Sequence, residues 1–198
     1  MKYLKFKTPT NQNLKQKKAF TLVEILTVVF LGSLIIMASY SVYLMSYKSY
    51  KKQSASAELT QNARIALERM SRDIRQSSDV VTDLQIDQEN SSSEIEFQNG
   101  HTTTPIQYID YKLVGTDLHY MPVHYAFHFE DTSDLWVKHD ELINGLNPLR
   151  IPGNPEIKAQ NITVLKFWET MPAIHINLTV SDNTTSYQFE TTSYGRNL

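Results

Sequence analysis

The stretch KKAFTLVEILTVVFLGSLIIMASYSVYLMSYK, residues 17–48, decides how this chain is built. Between Lys18 and Lys48 its only charge is Glu24, and the run from Phe20 to Tyr47 is otherwise apolar or uncharged. A helix needs about 20 apolar residues to cross a bilayer core, so the run is long enough to span. A cleaved secretory signal has an apolar core of roughly 7–15 residues followed by a small-x-small site. Here the core is much longer, and the one candidate site, Ser39-Tyr40-Ser41, is weak.

A carboxylate at the centre of a membrane helix costs about 2.5–3.5 kcal/mol, and less near an end, so Glu24 calls for a partner. A cut between Ala19 and Phe20 supplies one. The new α-amino group is a cation, and in a helical array the Glu24 of one subunit meets the Phe20 amine of the next as both leave the bilayer. The simpler account is a plain single-pass anchor with Glu24 among the headgroups.

The string AFTLVEILTVV at residues 19–29, behind a lysine-rich leader, resembles the class III signal of type IV prepilins and type II secretion pseudopilins. The resemblance implies that a prepilin peptidase cuts before Phe20, that the new terminus is N-methylated, and that Glu24 guides assembly. Lys17 and Lys18 correspond to the basic flank. That family usually has Gly before the cut, whereas this chain has Ala19, the smallest substitute, so cleavage is expected to survive. The partners implied are the peptidase, other pilins or pseudopilins, and the membrane.

The chain of 198 residues leaves room for one soluble domain of ordinary size after this helix. Six basic residues and no acidic one precede the proposed cut, so residues 20–198 hold 13 Lys+Arg against 21 Asp+Glu, a net of −8. A basic leader stays cytoplasmic by the positive-inside rule, which sends the C-terminal part across the membrane. Lys48, Lys51 and Lys52 on the far flank weaken that inference without reversing it. With no cysteine there is neither a disulfide framework nor a thiolate metal site.

Between Phe20 and Gly100 there is no proline, and Gly32 is the only glycine, so the helix has no strong reason to stop at the bilayer surface. Past Tyr47, apolar residues recur at Tyr50, Ala55, Leu59, Ala63, Leu67, Met70 and Ile74, mostly three or four apart, marking one helix face. The pairs Arg64 with Glu68, Glu68 with Arg72 and Arg69 with Asp73 each add about 0.2–0.5 kcal/mol. The pattern predicts a helix over residues 20–78, ~88 Å at about 1.5 Å per residue, with residues 20–47 in the membrane and 48–78 as an amphipathic stem. Leu59, Ala63, Leu67, Met70 and Ile74 are its packing face. Arg64, Arg69, Arg72 and Arg75 read as a solvated, salt-bridged face, with a binding ridge for acidic partners or nucleic acid as the rival. The run RIALERMSRDIR at residues 64–75 also resembles the stems of minor pseudopilin J and the minor pilin PilW, which implies a low-copy subunit at a fibre tip.

After Ser78 the period changes to that of strands. Short β-branched and aromatic runs fall at residues 80–86, 94–98, 106–114, 117–123, 125–129, 163–168, 173–180 and 187–192. Pro122 demotes its run to an edge or an interruption. Asn99-Gly100, Gly115-Thr116 and Asp182-Asn183 mark turns, the first of the kind that hairpins favour. Residues 131–160, with three prolines and two glycines, read as an irregular excursion on the head formed by residues 79–198. The fold class expected is therefore α+β and pilin-like: a long N-terminal helix packed on an antiparallel sheet domain.

No constellation points to catalysis. Gly-x-Ser-x-Gly and phosphate-binding glycine loops do not occur, and there is no thiol nucleophile. His124 and His128 stand four apart on an extended run, about 13 Å by strand rise, too far to share a metal. Asp131, Asp134, Asp140 and Glu141 lack the spacing of a dedicated calcium loop and read as solvated acids. Four glycosylation-type tripeptides, at Asn90, Asn161, Asn177 and Asn183, are common by chance. No metal, cofactor or catalytic residue is expected. The acidic mature chain argues against nucleic acid, whose backbone is bound by Lys and Arg. The reading is a non-enzymatic subunit of a pilus-like or secretion fibre, with a membrane-anchored adhesin or protein-binding module as the alternative.

Overall fold

The computed structural model describes residues 19–101, 105–128, 134–182 and 185–195. The leader thus lies outside the described residues, except for Ala19. One helix, α1, runs from Leu22 to Gln76, 55 residues. Thr21 caps it: its side-chain oxygen accepts the Glu24 N–H at 3.3 Å, and its carbonyl accepts the Ile25 N–H at 3.2 Å. At the other end the buried Ser77 donates both its N–H and its hydroxyl to the Ile74 carbonyl, at 3.0 and 2.6 Å. Gly100 closes over this terminus with φ at +70°, and a Cβ there would lie 1.8 Å from the Gln76 carbonyl oxygen. Only glycine fits.

The chain divides into two units, Met1–Lys51 and Lys52–Leu198. In the first, the described residues are helical from Leu22 onward, and the most apolar window of α1 contains no buried residue. This is a helix long and apolar enough to cross a membrane.

In the second unit the stem half of α1 packs on two antiparallel sheets. The larger contains β1 (Asp79–Val80), β2 (Glu94–Gln98), β3 (Tyr108–Val114), β4 (Asp117–Phe127), β5 (Leu135–Val137), β6 (Leu149–Pro152) and β7 (Glu156–Ala159). The smaller is a meander of β8 (Ile162–Thr170), β9 (Ala173–Ser181) and β10 (Ser186–Tyr194), in the order β10-β9-β8. The fold is α+β, in a layout consistent with a pilin-like fold. Its core joins Leu59, Ala63, Leu67, Met70 and Ile74 of the stem to inward residues of both sheets, among them Phe97, Tyr111, Phe167 and Ile176.

Several local expectations are corrected. The strand over residues 80–86 shrinks to two residues, because the Val81 and Thr82 N–H groups both turn to the Glu96 carbonyl and end the ladder. Asn99-Gly100 opens a longer loop, and Gly115-Thr116 is the tight hairpin, between the paired Val114 and Asp117. Pro122 does not end β4, which is continuous through it, but sits where the ladder on one side is interrupted. In a strand the N–H and C=O of one residue point the same way. The Pro122 carbonyl accepts the Gly153 N–H at 2.7 Å, so its missing donor faces the break between the β7 pairing at residues 118–120 and the β6 pairing at 123–126. The excursion at 131–160 is not simply irregular, since β5, β6 and β7 all return to β4. Its prolines cut a strand-forming segment into short pieces, and β4 supplies the backbone partners.

Candidate functional site

The first candidate site is the N-terminal end of α1. Ala19 and Phe20 precede the helix, and Phe20 is 73% exposed. One turn on, Glu24 is exposed in the first turn, where a carboxylate complements the helix dipole. Phe20, Glu24, Ile25, Val28 and Val29 line one shallow, largely apolar face. The lone carboxylate therefore borders an apolar surface beside the residue proposed to become the N-terminus.

The second is the stem face. Leu59, Ala63, Leu67, Met70 and Ile74 are all buried, as are Ala66 and Ser71, which the apolar periodicity misses. Tyr50 and Ala55, assigned to the same stripe from spacing, are exposed. The packed face therefore starts at Leu59. Arg64 is exposed. Of the three helical ion pairs expected, only Arg69 with Asp73 falls within reach, at 4.0 Å. Asp73 also meets Arg72 at 3.7 Å and accepts the Tyr111 hydroxyl at 2.8 Å, and burial beside that carboxylate pushes the Tyr111 phenol well above its ordinary range. Arg69 lies over the Tyr120 ring at 5.3 Å, with Lys158 over the same ring at 4.9 Å. The ridge is thus partly an internal clamp between stem and sheet.

A third cluster escapes the sequence reading. Arg150 of β6 donates from Nε to Glu96 at 2.8 Å and from Nη2 to Asp110 at 2.8 Å, while the Tyr125 hydroxyl donates to Glu96 at 2.6 Å. Both carboxylates are buried, and Asp110 Oδ1 has no hydrogen-bond partner. Burial and the neighbouring Glu94 raise the Asp110 carboxyl to about 6, against the opposing pull of Arg150 and Lys112. Burial works against the Arg150 cation, but Glu96 and Asp110 outweigh it and hold the guanidinium above its usual value. Around this cluster lies a second apolar core of Tyr108, Met121, Val123, Tyr125, Phe127 and Val137, with Ile143 of the excursion packed against it. Arg150 is the only arginine between residues 131 and 160, a weak signal of an anchoring role. The cluster pins the excursion to the sheet.

His124 Nδ1 bonds the Ile106 carbonyl at 2.9 Å, and His128 Nδ1 meets Asp134 at 2.8 Å, so the two imidazoles serve separate partners. Asp140 and Glu141 are exposed, and Asp131 lies outside the described residues. Among the described residues no group of three or more His, Cys, Asp or Glu is placed to hold a metal. Asn177 is buried on β9, out of reach of any modifying enzyme in the folded state. Comparison of the chain with protein-family models, with curated proteins and with solved structures finds no match in any of the three.

Proposed function

We propose that this chain is a minor pilin or pseudopilin: a non-enzymatic subunit that enters the membrane N-terminus inside, is cut between Ala19 and Phe20, and joins the tip or priming complex of a pilus-like or secretion fibre. The observation that carries the reading is Glu24. It is the lone charge of the exposed apolar run from Phe20 to Tyr47, sits in the first turn of α1, and shares a face with Phe20. A carboxylate kept there at a cost in membrane stability makes sense if a neighbouring subunit's Phe20 amine meets it. The lysine-rich leader and the stem run RIALERMSRDIR support the same reading by resemblance.

Intact mass of the membrane-extracted protein tests it. Cells with an active prepilin peptidase should yield a chain that begins at Phe20 and carries one added methyl group. Retention of residues 1–19 would overturn the proposal. A second reading, a protein-binding head, is favoured by the exposed Trp136, Leu142, Leu146 and Leu149 on the excursion. It predicts that the intact protein captures a partner that a variant lacking residues 138–147 does not.

A further inference from the structure

Tyr40, Tyr43, Tyr47 and Tyr50 recur at helical spacing and fall on one face of α1, and they are 61%, 63%, 48% and 71% exposed. The Tyr43 and Tyr47 rings stack at 6.3 Å between centroids, and Lys51 Nζ lies 5.5 Å from the centre of the Tyr47 ring. Ser41 and Ser49 lie on the opposite side and Ser46 borders the tyrosines between Tyr43 and Tyr50, so the aromatic ladder is one-sided. Lys51 lies at the ladder's edge and Lys48 on the adjoining side of the helix at the same depth, and the sequence has no acidic residue between Glu24 and Glu58.

The ladder's place along the helix follows from the span. If Glu24 rests among the inner headgroups, a hydrocarbon core of about 20 residues starts at Ile25 and ends near Leu44. Tyr40 and Tyr43 then lie just inside the outer boundary, while Tyr47, Tyr50 and the two lysines lie in the headgroup layer. Tyrosine has an apolar body and a polar tip, which suits that boundary. The ladder is about 15 Å long, more than a belt at one depth needs. A helix that leans toward its tyrosine face, within the ordinary tilt of about 20°, brings all four rings closer to one layer.

We propose that Tyr40, Tyr43, Tyr47 and Tyr50, with Lys48 and Lys51, form a docking surface for anionic lipid headgroups of the outer leaflet, which fixes the depth of the unassembled subunit. This rests on the membrane-spanning part of the proposed function. Charge decides the occupant. A second copy of the same face would bring like charges together, whereas phosphatidylglycerol supplies the anion that Lys48 and Lys51 lack within their own segment.

Absence of cysteine makes the test clean. The full chain carrying Ser46→Cys is labelled with a fluorophore and reconstituted into vesicles of phosphatidylcholine and phosphatidylglycerol. Spin-labelled versions of either lipid are compared as quenchers at equal mole fraction. Phosphatidylglycerol should quench about 5-fold more effectively, and the preference should vanish in Lys48→Gln/Lys51→Gln. Equal quenching by both lipids overturns the inference. So does energy transfer between differently labelled copies at low protein-to-lipid ratio, which would make the ladder a helix–helix seam. A separate Ser33→Cys chain tests the spanning reading. Protection from a membrane-impermeant maleimide in intact vesicles upholds it, and labelling there overturns the span and the inference together.

Discussion

Replacing Arg150 with methionine should cost the head about 2–3 kcal/mol at pH 7.5. Removing one partner of a buried ion pair costs roughly 3–5 kcal/mol, because the other charge is left without compensation. Here two carboxylates are stranded: the side chains of Asp110 and Glu96 are 0% and 7% exposed. Arg150 itself is 35% exposed, so water already screens part of the pair, and the figure falls toward the surface value of at most about 1 kcal/mol without reaching it. The loss should shrink at pH 5, where Asp110, raised to about 6, takes a proton and removes one of the two charges. Glu96 keeps its bond from Tyr125. The assay is urea unfolding of the fragment Lys52–Leu198, a compact unit by itself, followed by fluorescence of Trp136 and Trp168. Adding Glu96→Gln and Asp110→Asn to Arg150→Met should restore most of the stability, since an uncharged cluster needs no cation. A loss below about 0.5 kcal/mol, or one of equal size at both pH values, would refute the claim that Arg150 holds the excursion down by charge.

Three further outcomes follow from the same structure. Asp110 binds its proton more tightly folded than unfolded, so lowering pH from 7 to 5 stabilises the head at this site by about 1 kcal/mol; Asp110→Asn should flatten the pH profile of the fragment in that window. Leu67→Asp places an unpaired charge in the stem interface and should unfold the fragment at least partly, whereas exposed Arg64→Ala should cost no more than about 0.5 kcal/mol, and equal losses in thermal unfolding would mean that the buried face is wrongly assigned. Glu24→Ala should insert into membranes at least as well as the parent chain yet enter fibres poorly, as measured by the mutant's share of sheared fibre fractions, and normal incorporation would reduce Glu24 to an interfacial residue.

The helix was legible because two independent periods agree on it: an unbroken apolar run, then apolar residues three or four apart, with no proline between Phe20 and Pro105. Its expected ends, residues 20 and 78, each fall two residues outside the observed Leu22–Gln76. Spacing placed Leu59 to Ile74 correctly but carried the stripe back to Tyr50, because periodicity reports which residues share a face and not where the sheet beneath them stops. Strands β8, β9 and β10 were readable from local alternation, each paired to its neighbour in sequence. The excursion was not. Whether residues 149–152 form a strand depends on the free edge of β4, more than 20 positions away, and no local pattern encodes that. Arg150 was equally hidden, since its two carboxylates are 40 and 54 positions distant.

Among the described residues, four strands pair with β4: β3, β5, β6 and β7. Only β3 reaches it through a two-residue turn; β6 and β7 must return across loops whose closure costs entropy before any hydrogen bond repays it. The two sheets should therefore mature on different schedules. Sheet β10-β9-β8 can zip up through neighbouring hairpins, while the far side of β4 waits for residues 149–159 to be made and brought back. During that interval β4 presents unpaired backbone through Pro122, whose lack of an N–H leaves one place where a stray strand finds no donor. The proline that looked like a flaw in the strand thus guards its edge until Gly153 docks on it.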